Sequence, residues 1–169
     1  YLSHAELEYA ARQGIVFLAA VGIGPADRLL GAFEYAWGLG GLYTQRVAAL
    51  SGLFSLCPGL VDPGEAVDRL DLYGFTVVIG DPFWLSRFTE LAMARGVRRR
   101  LTALVSGAER MTEGLRRQLQ EYWQAPLYMN YASTETGASL GFECRARAGY
   151  HLNEYDYAVE IANPDANGY

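Results

Sequence analysis

Residues 75–107 read FTVVIGDPFWLSRFTELAMARGVRRRLTALVSG and place two short apolar runs on either side of an amphipathic segment. The runs Phe75–Ile79 and Leu101–Val105 are typical of buried strands. The pair Asp81-Pro82 has the form of a helix start, and we expect this helix to continue to about Arg95. A strand, a helix and a strand in this order predict two parallel strands joined by a crossover helix.

The same alternation continues on both sides of this stretch. Before it, the strand-like run Phe54–Cys57 is followed by a helix that opens at Asp62 and ends near Leu72. After it, a helix over Thr112–Tyr122 leads to the short strand Leu127–Met129. Four strands separated by helices predict an α/β fold with a mostly parallel sheet and helices on both faces.

The two ends of the chain differ from this core. Near the start, the sequence predicts a helix from the capping box Ser3–Glu6 to about Phe17, an extended run Arg28–Phe33 and a helix Leu42–Leu53. After Gly137 it predicts three short antiparallel strands, Leu140–Cys144, Tyr150–Leu152 and Tyr157–Ile161. We therefore expect a helical and aromatic segment over residues 1–53, the alternating core over 54–137, and the start of a β-rich subdomain over 138–169, truncated at the end of the chain.

Composition narrows the class of protein. The 169 residues are 51% hydrophobic, which is enough for one globular domain. A net charge of -5 argues against a nucleic-acid partner, since the only basic cluster is Arg98–Arg100. The longest apolar stretch, Gly14–Gly24, is too short to cross a bilayer, so we expect no membrane partner. Cys57 and Cys144 do not form a disulfide framework, which favours the cytoplasm.

Two polar turns follow neighbouring strands of the predicted sheet. One contains Ser106, Gly107, Ala108 and Glu109, and the other runs from Asn130 to Gly137. Because the carboxyl ends of adjacent parallel strands lie about 5 Å apart, both turns can line one crevice. The types of residue in this crevice are those that a nucleotide needs, although strand-to-helix turns without a ligand use the same types.

These motifs resemble the middle of the adenylate-forming (ANL) ligases, and among them the phenylacetate-CoA ligase branch. The resemblance rests on clusters that occur in the same order and spacing, namely Phe33–Gly41, Ser106–Glu109, Tyr131–Glu135, Phe142–Cys144 and Gly149–His151. It covers nearly the whole chain. The resemblance implies an ATP-dependent enzyme that activates an aryl or arylacetic acid and transfers it to CoA or to another thiol.

The resemblance also implies roles for individual residues. The adenine pocket would contain Ser106, Gly107, Ala108 and Glu109 from the first turn, and Asn130, Ala132 and Ser133 from the second. Tyr131 would stack on adenine, Thr134 would bond the α-phosphate and Glu135 would bind Mg²⁺. The acyl pocket would contain Tyr35, Trp37, Gly38 and Gly137, although alternating aromatic residues on a strand are also typical of core packing.

Two positions depart from the family pattern. This chain has Ala132 where the family usually has glycine, and Met129 where it often has aspartate or glutamine. A thioether cannot replace a carboxylate or an amide in bonding an adenine amine, and Asn130 is the neighbouring side chain able to substitute.

Three further questions remain open at the level of sequence. Cys144 and His151 are preferred zinc ligands and predict either half of a zinc site or two ordinary packed side chains.

The chain shows neither the phosphate loop nor the lysine-bearing C-terminal domain of such ligases, so we expect no turnover from this piece alone. The alternative is a catalytically inactive module that binds AMP or ATP. The sequence does not decide whether the protein forms a homodimer. A dinucleotide-dependent oxidoreductase is disfavoured, because neither Gly22–Gly24 nor Gly38–Gly41 completes the required glycine pattern.

Overall fold

The computed structural model describes residues 2–35 and 38–161, apart from the side chain of Ala138. Within these residues the helices are α1 (His4–Val21), α2 (Gly40–Leu50), α3 (Pro63–Tyr73), α4 (Pro82–Ala94) and α5 (Glu113–Trp123). The strands are β1 (Arg28–Gly31), β2 (Phe54–Leu56), β3 (Val77–Gly80), β4 (Ala103–Ser106), β5 (Leu127–Ser133), β6 (Ala138–Glu143) and β7 (Tyr150–Leu152). None of the helices in this part of the chain has the length and apolar character needed to cross a membrane.

The strands form one mixed sheet in the order β2-β1-β3-β4-β5-β6-β7. The pairs from β2 through β5 are parallel, whereas β6 and β7 are antiparallel to their neighbours. The predicted fold class is therefore confirmed: a mostly parallel sheet with flanking helices, followed by short antiparallel strands. The extended run that begins at Arg28 is itself a parallel strand, so the described residues contain one more parallel strand than the four that the sequence predicted.

The order of the strands reverses next to β1. From β1 the chain passes through α2 to β2 on one side, and then returns through α3 to β3 on the other side. Such a reversal separates the loops that leave the carboxyl ends of the two strands, and a crevice opens between them. The position of a ligand site is thus set by topology.

A hydrophobic core lies on each face of the sheet. On one face α1 and α2 pack over side chains such as Leu29, Val77 and Tyr128. On the other face α3, α4 and α5 pack over the alternate residues of the same strands, including Val78 and Leu104. The alternation along each strand assigns every side chain to one of these two layers.

The helices begin where side chains satisfy their first backbone N–H groups. The side chains of Asp62, Asp81 and Thr112 accept hydrogen bonds at the starts of α3, α4 and α5. Helix α1 continues past Phe17 to Val21, because the break comes only at Gly22, which adopts a left-handed conformation at φ 82°. The predicted helix Leu42–Leu53 is displaced toward the N-terminus and runs from Gly40 to Leu50.

Three local predictions are wrong. The extended run does not reach Phe33, because β1 ends at Gly31, and the following loop is held by the Gly41 N–H, which donates to the Glu34 carbonyl at 3.0 Å. The segment Tyr157–Ile161 forms no strand either, because Val159 and Ile161 are 49% and 98% exposed and no described strand pairs with them. Strand β5 does not end at Met129: it continues to Ser133, since β6 pairs with it from Asn130 onward.

Candidate functional site

A cavity of about 280 Å³ opens at the strand reversal, between α1, α2 and the carboxyl ends of the central strands. The apolar part of its wall comes from the two helices and from β1, β3 and β4, and consists of Gly14, Phe17, Leu18, Leu29, Tyr43, Val47, Ala48, Ile79 and Val105. The remaining lining comes from the loop before α2 together with Gly40 and Thr44 of that helix, from the end of β4 and its turn, and from the end of β5 and its turn. Its other members are Phe33, Glu34, Gly38, Leu39, Ser106, Gly107, Ala108, Asn130, Ala132, Ser133 and Thr134. One end of the cavity is thus apolar and the other is polar.

The turn after β4 packs closely against β5. The Ser106 hydroxyl donates to the Gly80 carbonyl at 3.0 Å and is used within the sheet. A Cβ atom placed on Gly107 would lie 3.0 Å from the Asn130 carbonyl oxygen, so a side chain at this position would press on β5. Ala108 then takes the left-handed conformation at φ 69°, which turns the chain over the cavity. The exposed side chain of Glu109 is not part of the cavity lining in the described structure.

The end of β5 contributes alternate residues to the cavity. Asn130 and Ala132 line it, whereas the intervening Tyr131 is 55% exposed and lies with its ring 6.2 Å from that of Tyr150. The pairing of β5 with β6 shifts register between Tyr131 and Ala132, and beyond this shift Ser133 also lines the cavity. The strand therefore presents its backbone and small side chains to the cavity, while the ring of Tyr131 lies outside the cavity lining, beside Tyr150.

In the second turn, the side chains of Thr134 and Glu135 differ in their position relative to the cavity. Thr134 lines the cavity, while Glu135 lies outside its lining and is exposed. The Ser133 hydroxyl donates to the Glu135 carboxylate, and this hydrogen bond lowers the pKa of Glu135. The carboxylate is consequently ionised at neutral pH.

The residues expected in the acyl pocket are separated by the structure. Gly38 lines the cavity, but the Tyr35 hydroxyl donates to the Cys57 carbonyl and its ring packs against Gly59. Gly137 lies beside Leu2, in a second pocket between α1 and the Thr136 region. Trp37 lies outside the described residues.

The main site residues that the sequence analysis missed are those of α1 and α2. Gly14 and Phe17 from α1 and Tyr43, Thr44 and Val47 from α2 line the cavity where the two helices pack together. The spacing of the α2 residues is that of one helix face, and a glycine within a long helix is a sign of close contact. Both signals are present in the sequence, but neither distinguishes a cavity wall from a packed core.

The hairpin of β6 and β7 brings Cys144 and His151 together. The Ala146 N–H, 3.4 Å from the Cys144 sulfur, lowers the pKa of this thiol, and a hydrogen bond with His151 lowers it further. Residues 2–35 and 38–161 contain no group of three or more histidine, cysteine, aspartate or glutamate side chains placed to hold a metal ion. These two side chains do not form a complete zinc site among the described residues.

Comparison with known proteins identifies the fold through solved structures. No family model and no curated protein matches the sequence. A 2-hydroxyisobutyryl-CoA ligase in complex with 2-HIB-AMP and CoA superimposes with a TM-score of 0.81 at 17% identity, over 88% of this chain and 35% of the ligase. A long-chain-fatty-acid-CoA ligase from Archaeoglobus fulgidus gives a TM-score of 0.68 at 16% identity, over 86% of this chain and 31% of the ligase. The complex of VinN with L-aspartate gives 0.66 at 21% identity, over 83% and 35% of the two chains.

These similarities concern the fold. At 16–21% identity the chain has the architecture of these three solved structures. It spans about a third of the length of these proteins.

Proposed function

We propose that this chain is the central part of an adenylate-forming acid-thiol ligase, whose intact form activates an aryl or arylacetic acid with ATP and Mg²⁺. A carboxylate oxygen of the acid bonds to the α-phosphorus of ATP, and the bond to the departing pyrophosphate breaks. The acyl group then passes from AMP to CoA or to another thiol. The observation that carries this proposal is the single cavity, which joins an apolar wall to two polar, glycine-containing turns.

The polar end of the cavity fits the nucleotide. Gly107 and Ala108 line the cavity. Tyr131 is exposed outside this lining, and in the proposal its ring stacks on the base. In the proposal, the Thr134 hydroxyl donates to the α-phosphate. Donors and cations near the phosphates stabilise the charge that develops as pyrophosphate leaves.

Glu135 has the properties of a Mg²⁺ ligand. Its carboxylate is exposed, and the hydrogen bond from Ser133 favours the charged form. Mg²⁺ prefers such hard oxygen ligands and keeps several waters, so one protein carboxylate together with phosphate oxygens is a sufficient set. When bound, the ion supplies charge neutralisation at the phosphates.

The apolar end of the cavity supports an aryl acid. The rings of Phe17, Phe33 and Tyr43 line it, next to the aliphatic side chains of α1 and β1. Such a surface binds an aromatic ring and leaves the carboxylate to the polar turns. No general base is needed, since the acid is already ionised at neutral pH.

The proposal is tested by ATP-pyrophosphate exchange with the full-length protein and a panel of aryl and arylacetic acids. We expect Glu135→Gln to lower the exchange rate by about a hundredfold, because the variant removes the charge that holds Mg²⁺. Glu154→Gln, at an exposed position beyond β7, is the matched control and should exchange like the unmodified protein. Equal rates for both variants would show that Glu135 has no part in the reaction.

One observation favours the alternative, a catalytically inactive AMP or ATP module. Met129 is buried in the core on the α3–α5 side of the sheet, so the position often occupied by an adenine-binding side chain offers none here. Calorimetry separates the two functions. A ligase binds a non-hydrolysable arylacetyl-adenylate analogue far more tightly than AMP, whereas an AMP-binding module gains little from the acyl group.

A further inference from the structure

Two hydroxyl groups in the wall of the cavity have no hydrogen-bond partner among the described residues. Tyr43 and Thr44 occupy successive positions of α2, and both line the cavity. No group within residues 2–35 and 38–161 makes a hydrogen bond with either hydroxyl. Thr89, at a comparable buried position in α4, instead donates to the Leu85 carbonyl of its own helix at 2.8 Å. The two hydroxyls of α2 are therefore free to bind a ligand.

The hydroxyl of Tyr43 lies at the contact between α1 and α2. A Cβ atom placed on Gly14 would lie 2.7 Å from the Tyr43 hydroxyl oxygen, so glycine in α1 makes room for this group. Gly14 and Tyr43 both border the cavity at this point. Burial raises the pKa of Tyr43, which therefore keeps its proton and remains a hydrogen-bond donor.

Thr44 lies on the same wall, beside the end of β1. Its methyl carbon would lie 3.0 Å from a Cβ atom on Gly31, so the methyl group faces the strand. The hydroxyl occupies the other branch of the side chain, and the residue is only 9% exposed. Thr44 and Tyr43 thus place two polar atoms on a wall that is otherwise formed by Phe17, Leu18 and Val47.

Both hydroxyls are open to the cavity, since no fully buried side-chain oxygen or nitrogen among the described residues lacks a hydrogen-bond partner. A ligand that fills the cavity covers them, and covering a hydroxyl without giving it a hydrogen bond is unfavourable. The cost disappears when a ligand brings a polar group to the same place. We propose that the acid carries a hydrogen-bonding substituent at the end remote from its carboxylate, such as a ring hydroxyl, and that Tyr43 and Thr44 recognise it. This inference rests on the proposed function, which places the carboxylate at the polar turns and the remainder of the acid against α1 and α2.

The test compares acids that differ only in this substituent. Phenylacetate, 3-hydroxyphenylacetate and 4-hydroxyphenylacetate are assayed by ATP-pyrophosphate exchange with the full-length protein. We expect kcat/KM for one hydroxylated acid to exceed that for phenylacetate by about tenfold, the discrimination that one or two neutral hydrogen bonds provide. In Tyr43→Phe this preference should fall several-fold, because KM for the hydroxylated acid rises more than KM for phenylacetate. Thr44→Val, which keeps the shape of the side chain, should act in the same direction.

Tyr122→Phe is the matched control, since it removes a tyrosine hydroxyl that donates to the Val97 carbonyl on the opposite face of the sheet. This variant should keep the preference for the hydroxylated acid. Equal kcat/KM for all three acids in the unmodified protein, or a preference that Tyr43→Phe and Thr44→Val leave intact, overturns the inference while the ligase function stands.

If none of the acids supports exchange, the proposed function fails for this class of acid, and direct binding decides the inference. Calorimetric titration of the same acids should then show tighter binding of a hydroxylated acid, and Tyr43→Phe should abolish the difference. Equal binding of all three acids would overturn it.

Discussion

At the scale of single residues, Gly107 determines how closely the first polar turn approaches β5. The position is buried, and a Cβ atom there would meet the Asn130 carbonyl oxygen at 3.0 Å, inside ordinary contact distance. Strand β5 cannot retreat easily, because it is paired with β4 on one side and with β6 on the other. A methyl group at Gly107 must therefore displace the turn that borders the cavity.

We expect Gly107→Ala to lower the free energy of unfolding by about 1–3 kcal/mol, the usual cost of overpacking. In the full-length protein it should also raise KM for ATP more than KM for the acid. Urea denaturation and steady-state kinetics measure the two effects. The control is Gly114→Ala in α5, where a Cβ atom meets nothing within 4 Å. It should leave stability unchanged or raise it by up to about 1 kcal/mol. If Gly107→Ala is as stable as Gly114→Ala and leaves KM for ATP unchanged, the turn accommodates a methyl group without displacement.

At the scale of secondary-structure elements, a buried ion pair joins α5 to the antiparallel extension of the sheet. The Arg116 guanidinium donates to both carboxylate oxygens of Glu143, at 2.9 and 2.6 Å, and also to the Leu127 carbonyl at 2.7 Å. The same carboxylate accepts from the Met129 N–H at 2.9 Å, just before the ladder between β5 and β6 begins. The hydrogen bonds with Glu143 raise the pKa of Arg116. This pair fixes the point at which β5 changes from a parallel to an antiparallel partner.

Removing the arginine should be costly, because it leaves a buried carboxylate without a counter-ion. We expect Arg116→Met to lower the free energy of unfolding by about 3–5 kcal/mol in urea denaturation at neutral pH. The neighbouring Arg117 is exposed on the same helix, and Arg117→Met should change stability by less than about 0.5 kcal/mol. Similar losses in both variants would mean that the ion pair contributes no more than a surface charge.

The elements that the sequence predicted well are those with local signals. Asp81 before Pro82 and Asp62 before Pro63 marked helix starts because their side chains bond backbone N–H groups within the next three residues. The extension of β5 was missed because it depends on pairing with β6, which no local pattern around Asn130 encodes. The prediction of a strand at Tyr157–Ile161 is wrong because alternating apolar residues favour a strand even where none of the described strands pairs with them.

At the scale of the whole molecule, strand order explains why the site unites distant parts of the sequence. The motifs Ser106–Glu109 and Asn130–Gly137 could be paired in advance, because consecutive parallel strands are usually neighbours. The opposite wall could not be predicted in this way. Its residues in α1 and α2 reach the cavity only because β1 lies inside the sheet, between β2 and β3.

This arrangement predicts which amides a ligand protects from hydrogen exchange. A non-hydrolysable phenylacetyl-adenylate analogue, bound to the full-length protein, should slow exchange together at Gly107–Ala108, at Ser133–Thr134 and in α2 around Tyr43, since these segments border one cavity. AMP alone should protect the two turns and leave α2 unchanged, because it lacks the acyl group. Helices α3 and α4 serve as internal controls, since they pack on the opposite face of the sheet. If the analogue does not protect α2, or if AMP gives the same protection as the analogue, then α2 does not bind the acyl group. Only nucleotide binding by the two turns would then be supported.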